Sequence, residues 1–415
     1  MGDALRLLPE SREDLAAYRA RGGYAALAEL ASQPQALRDI VSRWPLTGLG
    51  GAHYPFYSKV TSALDTSGPR TVVCNAAEDE PGSLKDRVLV EIAPHTVIEG
   101  ALLAAVAVEA DEVVFYVRET LPEAIASLES ALAEVQRESS WPHFRIRIHS
   151  APTTYVAGEA SAAIASIEGG EAKPRTQPPY PTESGVDRRP TLVSNVETLA
   201  NLPRMVAASP PGGLTLTRLA TISGDVATSG VFEVDPTTTS FADLIRLAGG
   251  MPLGRTLKAI QPGGPSSAFL PAALSDTLMS NEAIRGAGSQ PGCLAVRVLA
   301  DDRCLVEEVA QIAAFFASEQ CGQCPGCRMK TSTYSTILAK VRDSAGSWDL
   351  LGQFATIDEF VSDMPRRCGL IDMPTPPVTS AVLHFRDDFA AHIERGSCDS
   401  SPAQPSTLTH ERHPS

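Results

Sequence analysis

Several features are missing from this 415-residue sequence, and each absence excludes a class of protein. Basic residues are in deficit: 35 Lys and Arg face 49 Asp and Glu, and the net charge of −14 disfavours binding to nucleic acid or anionic lipid. Long apolar runs are also missing, since the most apolar stretch, 101–108, is far too short to span a membrane. The first residues carry no basic flank followed by an apolar run, so no secretory signal is predicted. We therefore expect a cytoplasmic chain, peripheral to a membrane at most through partner subunits.

The patterns that are present indicate a multidomain globular protein. Hydrophobic residues make up 43% of the chain, and its length predicts two to three domains. Apolar β-runs at 70–75, 112–117 and 144–149 alternate with helical patterns, which predicts an α/β domain with a parallel, doubly wound sheet. The predicted divisions are a helical segment at 1–40, the α/β domain at 41–205, a β-grasp domain at 214–285, a helical domain at 300–398 and a disordered tail at 399–415.

Half of the eight cysteines form a metal-ligand pattern. Cys321, Cys324 and Cys327 are spaced C-x2-C-x2-C, and Cys368 follows 41 residues later. Three thiolates at this spacing favour a [4Fe–4S] cluster completed by a distant fourth ligand, whereas structural zinc more often takes two separated C-x2-C pairs. Cys368 is the preferred fourth ligand, and Cys398 is its competitor at the edge of the tail. The other three are interpreted as small buried hydrophobic residues: Cys74, Cys293 and Cys304.

A glycine-rich loop at 48–51 is a weaker indication of a ligand site. Gly48, Gly50 and Gly51 would let backbone amides approach a phosphate or a flat ring, and Lys59 could supply positive charge. The loop lacks the third glycine of the dinucleotide fingerprint and precedes the first clear strand, so a plain tight loop with a solvated lysine is an equal alternative.

Four longer segments resemble one family, the FMN-binding flavoprotein subunit of complex I (the F subunits of NADH-quinone oxidoreductases). Residues 48–55 resemble its GRGGAGFP loop, and residues 74–87 its CNADESEPGTFKDR segment. Residues 155–169 resemble YxxGEETALLxSLEG, and residues 190–201 are similar to PTxVNNVETLAN. The resemblance covers about residues 40–395 and marks the chain as a divergent member.

The resemblance implies a fold, cofactors and site residues. It implies a Rossmann-like FMN domain, then a β-grasp (SLBB-like) insert and a C-terminal helical-bundle [4Fe–4S] domain. The implied cluster ligands are the four cysteines Cys321, Cys324, Cys327 and Cys368. The implied FMN contacts are Gly48, Gly50, Gly51, Lys59, Asn75, Tyr155, Gly158, Glu159, Ser194, Asn195 and Thr198. Asn195 and Thr198 have the alternative of capping a helix that opens at Val196.

The nicotinamide side of the implied site is altered. The catalytic acids would be Glu78, Glu80 and Glu159, with Tyr54 and Tyr180 at the aromatic positions that hold adenine. The substitutions relative to the family motifs are Leu49, His53, Ser62, Ala77, Ala160, Gln177 and Ser194. The expected activity is that of an NADH dehydrogenase-type oxidoreductase, which passes electrons through its cluster to an iron–sulfur partner such as a thioredoxin-like [2Fe–2S] subunit. The alternatives are a paralogue that exchanges electrons with a ferredoxin-like protein or an oxygenase, and a non-catalytic scaffold that keeps only the cluster.

Overall fold

The computed structural model describes residues 6–137, 144–208 and 215–398. The chain forms two compact units: the first comprises Met1–Asp79, Leu84–Leu219 and Glu233–Asp235, and the second comprises Glu80–Ser83, Ala220–Phe232 and Pro236–Ser415. The finer predicted divisions at 41–205, 214–285 and 300–398 stay predictions. The predicted tail at 399–415 lies outside the described residues.

A four-stranded parallel sheet forms the centre of the first unit. Its strands are β1 (Thr71–Ala76), β2 (Glu112–Arg118), β3 (Arg145–Ala151) and β4 (Thr191–Asn195). The spatial order is β3-β2-β1-β4, so the chain moves outward from β1 to β3 and then returns to the other side of β1. This reversal creates a topological switch point between β1 and β4, the place where open α/β sheets bind ligands beyond their carboxyl ends. The predicted parallel α/β fold is confirmed, although β4 was not predicted.

Helices surround this sheet. α6 is buried along its whole length and packs between the sheet and the N-terminal helices, which explains why its apolar residues do not keep to one face. The helices of the first unit are α1 (Leu15–Ala20), α2 (Ala25–Leu30), α3 (Pro34–Ser42), α4 (Phe56–Leu64), α5 (Lys85–Ile92), α6 (Pro94–Val108), α7 (Pro122–Gln136), α8 (Ala160–Ile167), α9 (Val196–Ala200) and α10 (Leu202–Ala207).

The second unit contains a five-stranded mixed sheet of the order β6-β5-β9-β7-β8. β5 pairs with β9 in parallel, and β7 pairs with β8 and β9 in antiparallel orientation, which is the predicted β-grasp arrangement. The elements of this part are β5 (Arg218–Gly224), β6 (Gly230–Val234), α11 (Phe241–Leu247), β7 (Leu257–Gln261), β8 (Leu270–Pro271), α12 (Asn281–Gly286) and β9 (Ala295–Ala300).

A helical region follows β9 and presents the cysteine motif. α13 (Leu305–Glu319) ends just before Cys321, and α14 (Pro325–Arg342) begins just after Cys324. The remaining helices are α15 (Trp348–Val361), α16 (Thr375–His384) and α17 (Arg386–Ala390), and a π-helical turn follows at Ala391–Arg395.

Membrane-spanning potential is confined to one bent pair of helices. Within the described ranges, no single helix has both the length and the apolar composition to cross a bilayer. α5 and α6 meet those criteria only when taken together, and they are bent by 100° at their junction.

Candidate functional site

Two asparagines mark the switch point of the first sheet. Asn75 near the end of β1 and Asn195 at the end of β4 are paired in register, so both side chains lie at the carboxyl edge of the sheet. The Nδ2 atom of Asn75 donates to the carbonyl of Gly158 at 2.9 Å, and Nδ2 of Asn195 lies 3.4 Å from the carbonyl of Asn75. Three predicted FMN contacts from separate segments are thereby brought together.

The glycine loop is held against this edge. The Leu49 amide donates to Thr198 Oγ1 at 2.8 Å, and the Gly48 amide donates to the Tyr54 carbonyl at 2.9 Å. A Cβ atom on Gly50 would lie 3.2 Å from Asn195 Cβ, so glycine permits the loop to approach β4 closely. Residues 48–51 therefore line the same edge as Asn75 and Asn195, and Thr198 anchors the loop as well as belonging to α9.

Lys59 and Ser194 form a polar cradle beside β4. Lys59 Nζ donates to the Val193 carbonyl at 3.2 Å, and burial lowers the pKa of this amine. Among the described residues, Lys59 forms no ion pair, and the buried Ser194 hydroxyl has no hydrogen-bond partner. A desolvated cation and an unsatisfied hydroxyl on neighbouring backbone fit an oxygen-rich anionic ligand such as a flavin phosphate.

A buried network of charged residues hydrogen-bonds to Asn195. Lys85 Nζ lies 2.6 Å from Asp86 Oδ1 and 2.9 Å from Glu197 Oε2, and all three side chains are almost fully buried. Asn195 joins the network, because its Nδ2 donates to Asp86 Oδ2 at 2.6 Å and its Oδ1 accepts from Lys85 at 3.2 Å. The same Oδ1 also accepts from the Glu197 amide at 3.1 Å, so the alternative role of a helix cap holds for Asn195 but not for Thr198, which lies inside α9. The network therefore fixes the Asn195 rotamer at the site.

Lys85, Asp86 and Glu197 were not singled out by sequence reasoning. All three lie inside quoted family segments, in the Lys-Asp-Arg and Val-Glu-Thr parts. Their place inside these motifs was the available indication, whereas their charge alone predicts exposure, because charged residues are seldom buried unless paired. Their spacing along the chain, however, does not reveal that they meet.

The three predicted catalytic acids occupy different environments. The carboxylate of Glu78 accepts from the amides of Asp86 and Arg87 at 2.8 and 2.7 Å. Burial, reinforced by the nearby Asp86 charge, raises the pKa of Glu78 to about 7. Glu159 Oε2 caps α8 by accepting from the amides of Ser161 and Ala162. Glu80 belongs to the second unit, where its side chain packs against Gly264.

The remaining predicted contacts divide into buried and exposed groups. Tyr155 is buried in the 3₁₀ turn Tyr155–Gly158, and a Cβ on Gly158 would lie 2.7 Å from Asp79 Oδ2, so a larger residue there would displace the Asp79 carboxylate. Tyr54 and Tyr180 are each 53% exposed, which leaves their rings available for stacking.

His53, which replaces a family glycine, adopts a left-handed φ of 51°. That strained backbone is what a glycine would relieve.

The four predicted cluster cysteines lie together in the second unit. Cys324 and Cys327 are buried, and Cys321 and Cys368 are partly exposed. Burial raises the pKa of Cys327 to about 12, and the proximity of Cys368, Cys324 and Cys321 adds to the rise. Four cysteines that act on one another in this way would repel as thiolates unless a cationic centre lay between them, so the donor set fits an iron–sulfur cluster.

Polar side chains surround this cysteine group. Gln323 Nε2 lies 3.5 Å from Cys321 Sγ, and Arg367 donates to Gln323 Oε1 at 2.6 Å. Lys330 is buried, and its amine pairs with Asp358 at 2.7 Å. Its positive charge offsets a small part of the rise in the pKa of Cys327. These groups place positive charge and hydrogen-bond donors around the thiolates, which stabilises an anionic cluster.

Comparisons with known proteins account for both sites. Residues 41–204 match the family model of the Nuo51 FMN-binding domain, and residues 307–392 match that of the NADH-ubiquinone oxidoreductase-F iron-sulfur binding region. The second F subunit of the NADH-quinone oxidoreductase of Rhizobium meliloti (strain 1021) is 33% identical over 403 residues, which cover 92% of this chain and 95% of that relative. The chain belongs to the family of NADH-quinone oxidoreductase F subunits.

Other relatives come from hydrogenases. The HndC subunit of the NADP-reducing hydrogenase of Solidesulfovibrio fructosivorans is 31% identical over 412 residues, covering 94% of this chain and 82% of that relative. A chain in the crystal structure of an NAD+-reducing [NiFe]-hydrogenase in the air-oxidized state superposes with a TM-score of 0.80 at 30% identity. That match covers 97% of this chain and 71% of the other. The predicted family, fold class and cofactor pair, FMN and [4Fe–4S], are confirmed.

Proposed function

We propose that this chain oxidises NADH at an FMN bound beside β1 and β4 and delivers the electrons through a [4Fe–4S] cluster to a partner protein. The observation that carries the proposal is the preservation of both redox sites in one chain. Among the described residues, the first unit keeps a cradle with a buried cation outside any ion pair and an unsatisfied hydroxyl, and the second keeps four gathered cysteines. When bound, FMN takes two electrons together from a nicotinamide and gives them up singly to an iron–sulfur centre.

Each proposed site residue has a task that follows from its surroundings. Lys59 and Ser194, with the amides of Gly50 and Gly51, would hold the anionic and oxygen-rich parts of FMN. Asn75 and Asn195 would orient the ligand, because their rotamers are held by the hydrogen bonds described above. Although Leu49 stands where the family motif has an arginine, Lys59 would still supply a positive charge to the ligand.

The acids and exposed aromatics would serve the nicotinamide substrate. With a pKa of about 7, Glu78 is partly neutral at physiological pH, so it adds little repulsion toward an anionic dinucleotide. Tyr54 and Tyr180 would stack on adenine, and an exposed ring face contributes on the order of 1 kcal/mol to such a contact. The catalytic roles proposed for Glu80 and Glu159 rest on the family motif.

A partner is required because an electron carrier with a cluster needs an acceptor. We propose an iron–sulfur partner, either a thioredoxin-like [2Fe–2S] subunit or a ferredoxin, since the relatives are named as subunits of quinone oxidoreductases and hydrogenases. Association with such a complex would place the chain in the cytoplasm, peripheral to the membrane.

An anaerobic optical titration of the flavin- and cluster-loaded protein with NADH tests the proposal. Bleaching of the flavin band at stoichiometric NADH is the expected result. If NADH does not reduce the flavin but dithionite and reduced ferredoxin do, the proposal fails and the protein-donor alternative takes its place. That alternative is favoured by His53, whose strained backbone and imidazole occupy the position of a family glycine. Absence of any bound flavin would leave only the cluster scaffold.

A further inference from the structure

A second group of metal-ligating side chains lies in the helical region of the second unit. It consists of Cys304, which immediately precedes α13, His392 in the π-helical turn, and Cys398, six residues further on. Their ligand atoms all lie within 4.8 Å of one another. His392 Nε2 is 3.3 Å from Cys304 Sγ and 3.2 Å from Cys398 Sγ. None of the three belongs to the four cluster cysteines, and neither redox site uses them.

The histidine is oriented as a metal ligand. His392 Nδ1 lies 3.0 Å from the Arg342 carbonyl oxygen, which can only accept, so Nδ1 carries the proton and Nε2 offers its lone pair to the two sulfurs. One lone pair can accept a hydrogen bond from only one thiol, although both sulfurs approach it at nearly equal distances. A backbone carbonyl that holds the far nitrogen is also the usual support of a metal-bound imidazole.

The spacing of the three atoms suits a tetrahedral ion. With bonds of about 2.3 Å to sulfur and about 2.05 Å to nitrogen, a tetrahedral Zn²⁺ would separate each sulfur from the nitrogen by about 3.6 Å. The observed separations are shorter by a few tenths of an ångström, which a small side-chain rotation would correct. Two thiolates and an imidazole are soft and intermediate donors that favour Zn²⁺ over Mg²⁺ or Ca²⁺.

We propose that Cys304, His392 and Cys398 bind one Zn²⁺ ion, distinct from the [4Fe–4S] cluster. Two thiolates would neutralise the ion, and the fourth position would be open to water. Cys398 borders a cavity of about 260 Å³ that also includes Asp388 and Lys258, and this cavity supplies both an entry path and room for that water. Asp388 is already engaged by Lys258 at 2.7 Å and by the Leu305 amide at 2.8 Å.

The ion would fasten three distant parts of the chain. It would join the start of α13, the end of α14 through the Arg342 carbonyl, and the segment that leads to Cys398. α13 has 15 residues and is therefore about 22 Å long, which separates this site from Cys321 beyond its other end. Zinc and cluster occupancy should consequently be independent.

Metal analysis of the full-length, anaerobically purified protein tests the proposal. The unaltered protein should contain about one zinc and four iron per chain after treatment with a mild chelator. Cys398→Ser and His392→Ala should each lose most of the zinc and keep the iron, whereas His384→Ala, which alters an exposed histidine of α16, should keep both. The triple variant Cys321→Ser/Cys324→Ser/Cys327→Ser, which keeps only one of the four cluster cysteines, should lose the iron and keep the zinc, and this excludes zinc misloaded at the cluster cysteines.

Cobalt provides a readout that does not depend on a variant's stability. Co²⁺ added to the metal-stripped triple variant should give the intense thiolate-to-cobalt absorption of a tetrahedral site, and adding Cys398→Ser to this background should abolish it. Zinc content that is unchanged by Cys398→Ser and His392→Ala in the triple-variant background would overturn the proposal. A Cys304–Cys398 disulfide in the intact mass of the anaerobic protein, without zinc, would overturn it too.

Discussion

The Ser194 hydroxyl allows a test in which ligand-free stability and flavin affinity should move in opposite directions. The side chain is 3% exposed and, in the described part of the chain, makes no hydrogen bond. A buried hydroxyl without a partner costs about 1–3 kcal/mol, and this cost is present only while the site is empty. Bound FMN would supply the missing partner. Ser194→Ala should therefore leave the flavin-free protein as stable as before or up to about 1 kcal/mol more stable.

The same substitution should weaken flavin binding. Loss of one hydrogen bond of about 1 kcal/mol corresponds to a five- to tenfold increase in Kd. Flavin fluorescence, which is quenched on binding, measures Kd, and thermal unfolding of the deflavinated protein measures stability. Ser67→Ala, at an exposed serine of the same unit, should change neither quantity. A Ser194→Ala protein that loses more than about 1 kcal/mol of ligand-free stability, or binds FMN with unaltered Kd, would refute the argument.

Three further predictions concern the network, the buried acid and the cluster. Lys85→Met should lower the free energy of unfolding by about 3–5 kcal/mol, because it leaves buried carboxylates unpaired. Adding Glu197→Gln should recover part of that loss. Equal melting temperatures for the single and double variants would contradict this prediction. Burial raises the pKa of Glu78 from 4.5 to about 7, so between these values the folded protein holds a proton that the unfolded chain has lost. The free energy of unfolding therefore falls as pH rises from about 4.5 to 7. Glu78→Gln should make the melting temperature of the flavin-free protein depend less on pH over this range. Melting temperatures of the unaltered and Glu78→Gln proteins that change in parallel with pH would contradict the elevated pKa of Glu78. Cys368→Ser should lose the cluster absorption and keep full flavin content, whereas retained iron would point to a different fourth ligand.

Long motifs made much of the flavin site predictable, because segments such as 74–87 and 190–201 carry the pattern as contiguous letters. The motifs single out Asn75 and Asn195, although they do not show that the two strands are neighbours. β4 itself was missed: Thr191–Asn195 is only five residues long and directly follows a proline-rich stretch, so its apolar run gave little strand pattern. Its pairing with β1 joins residues that are more than a hundred positions apart, which the local pattern of β4 does not reveal.

Contacts between distant residues account for what sequence reasoning could not supply. Cys304 and His392 are 88 positions apart, and Cys304 in its apolar run was interpreted as a simple buried residue. It is buried, as predicted, yet its sulfur faces an imidazole and a second cysteine. Cys398 was considered only as a competing cluster ligand, and its closeness to His392 has no counterpart in the spacing of the motif. The sequence did not predict the pairing of Lys85 with Glu197 for the same reason, since more than a hundred residues separate them along the chain.

The central claim is that electrons from NADH reach the cluster held by Cys321, Cys324, Cys327 and Cys368. Low-temperature EPR of the anaerobic protein frozen after addition of NADH tests it most directly. We predict the signal of a reduced [4Fe–4S] centre in the unaltered protein and its loss in Cys324→Ser, with flavin bleaching by NADH retained in both. A cluster that stays EPR-silent with NADH, although dithionite produces its signal, would contradict the account.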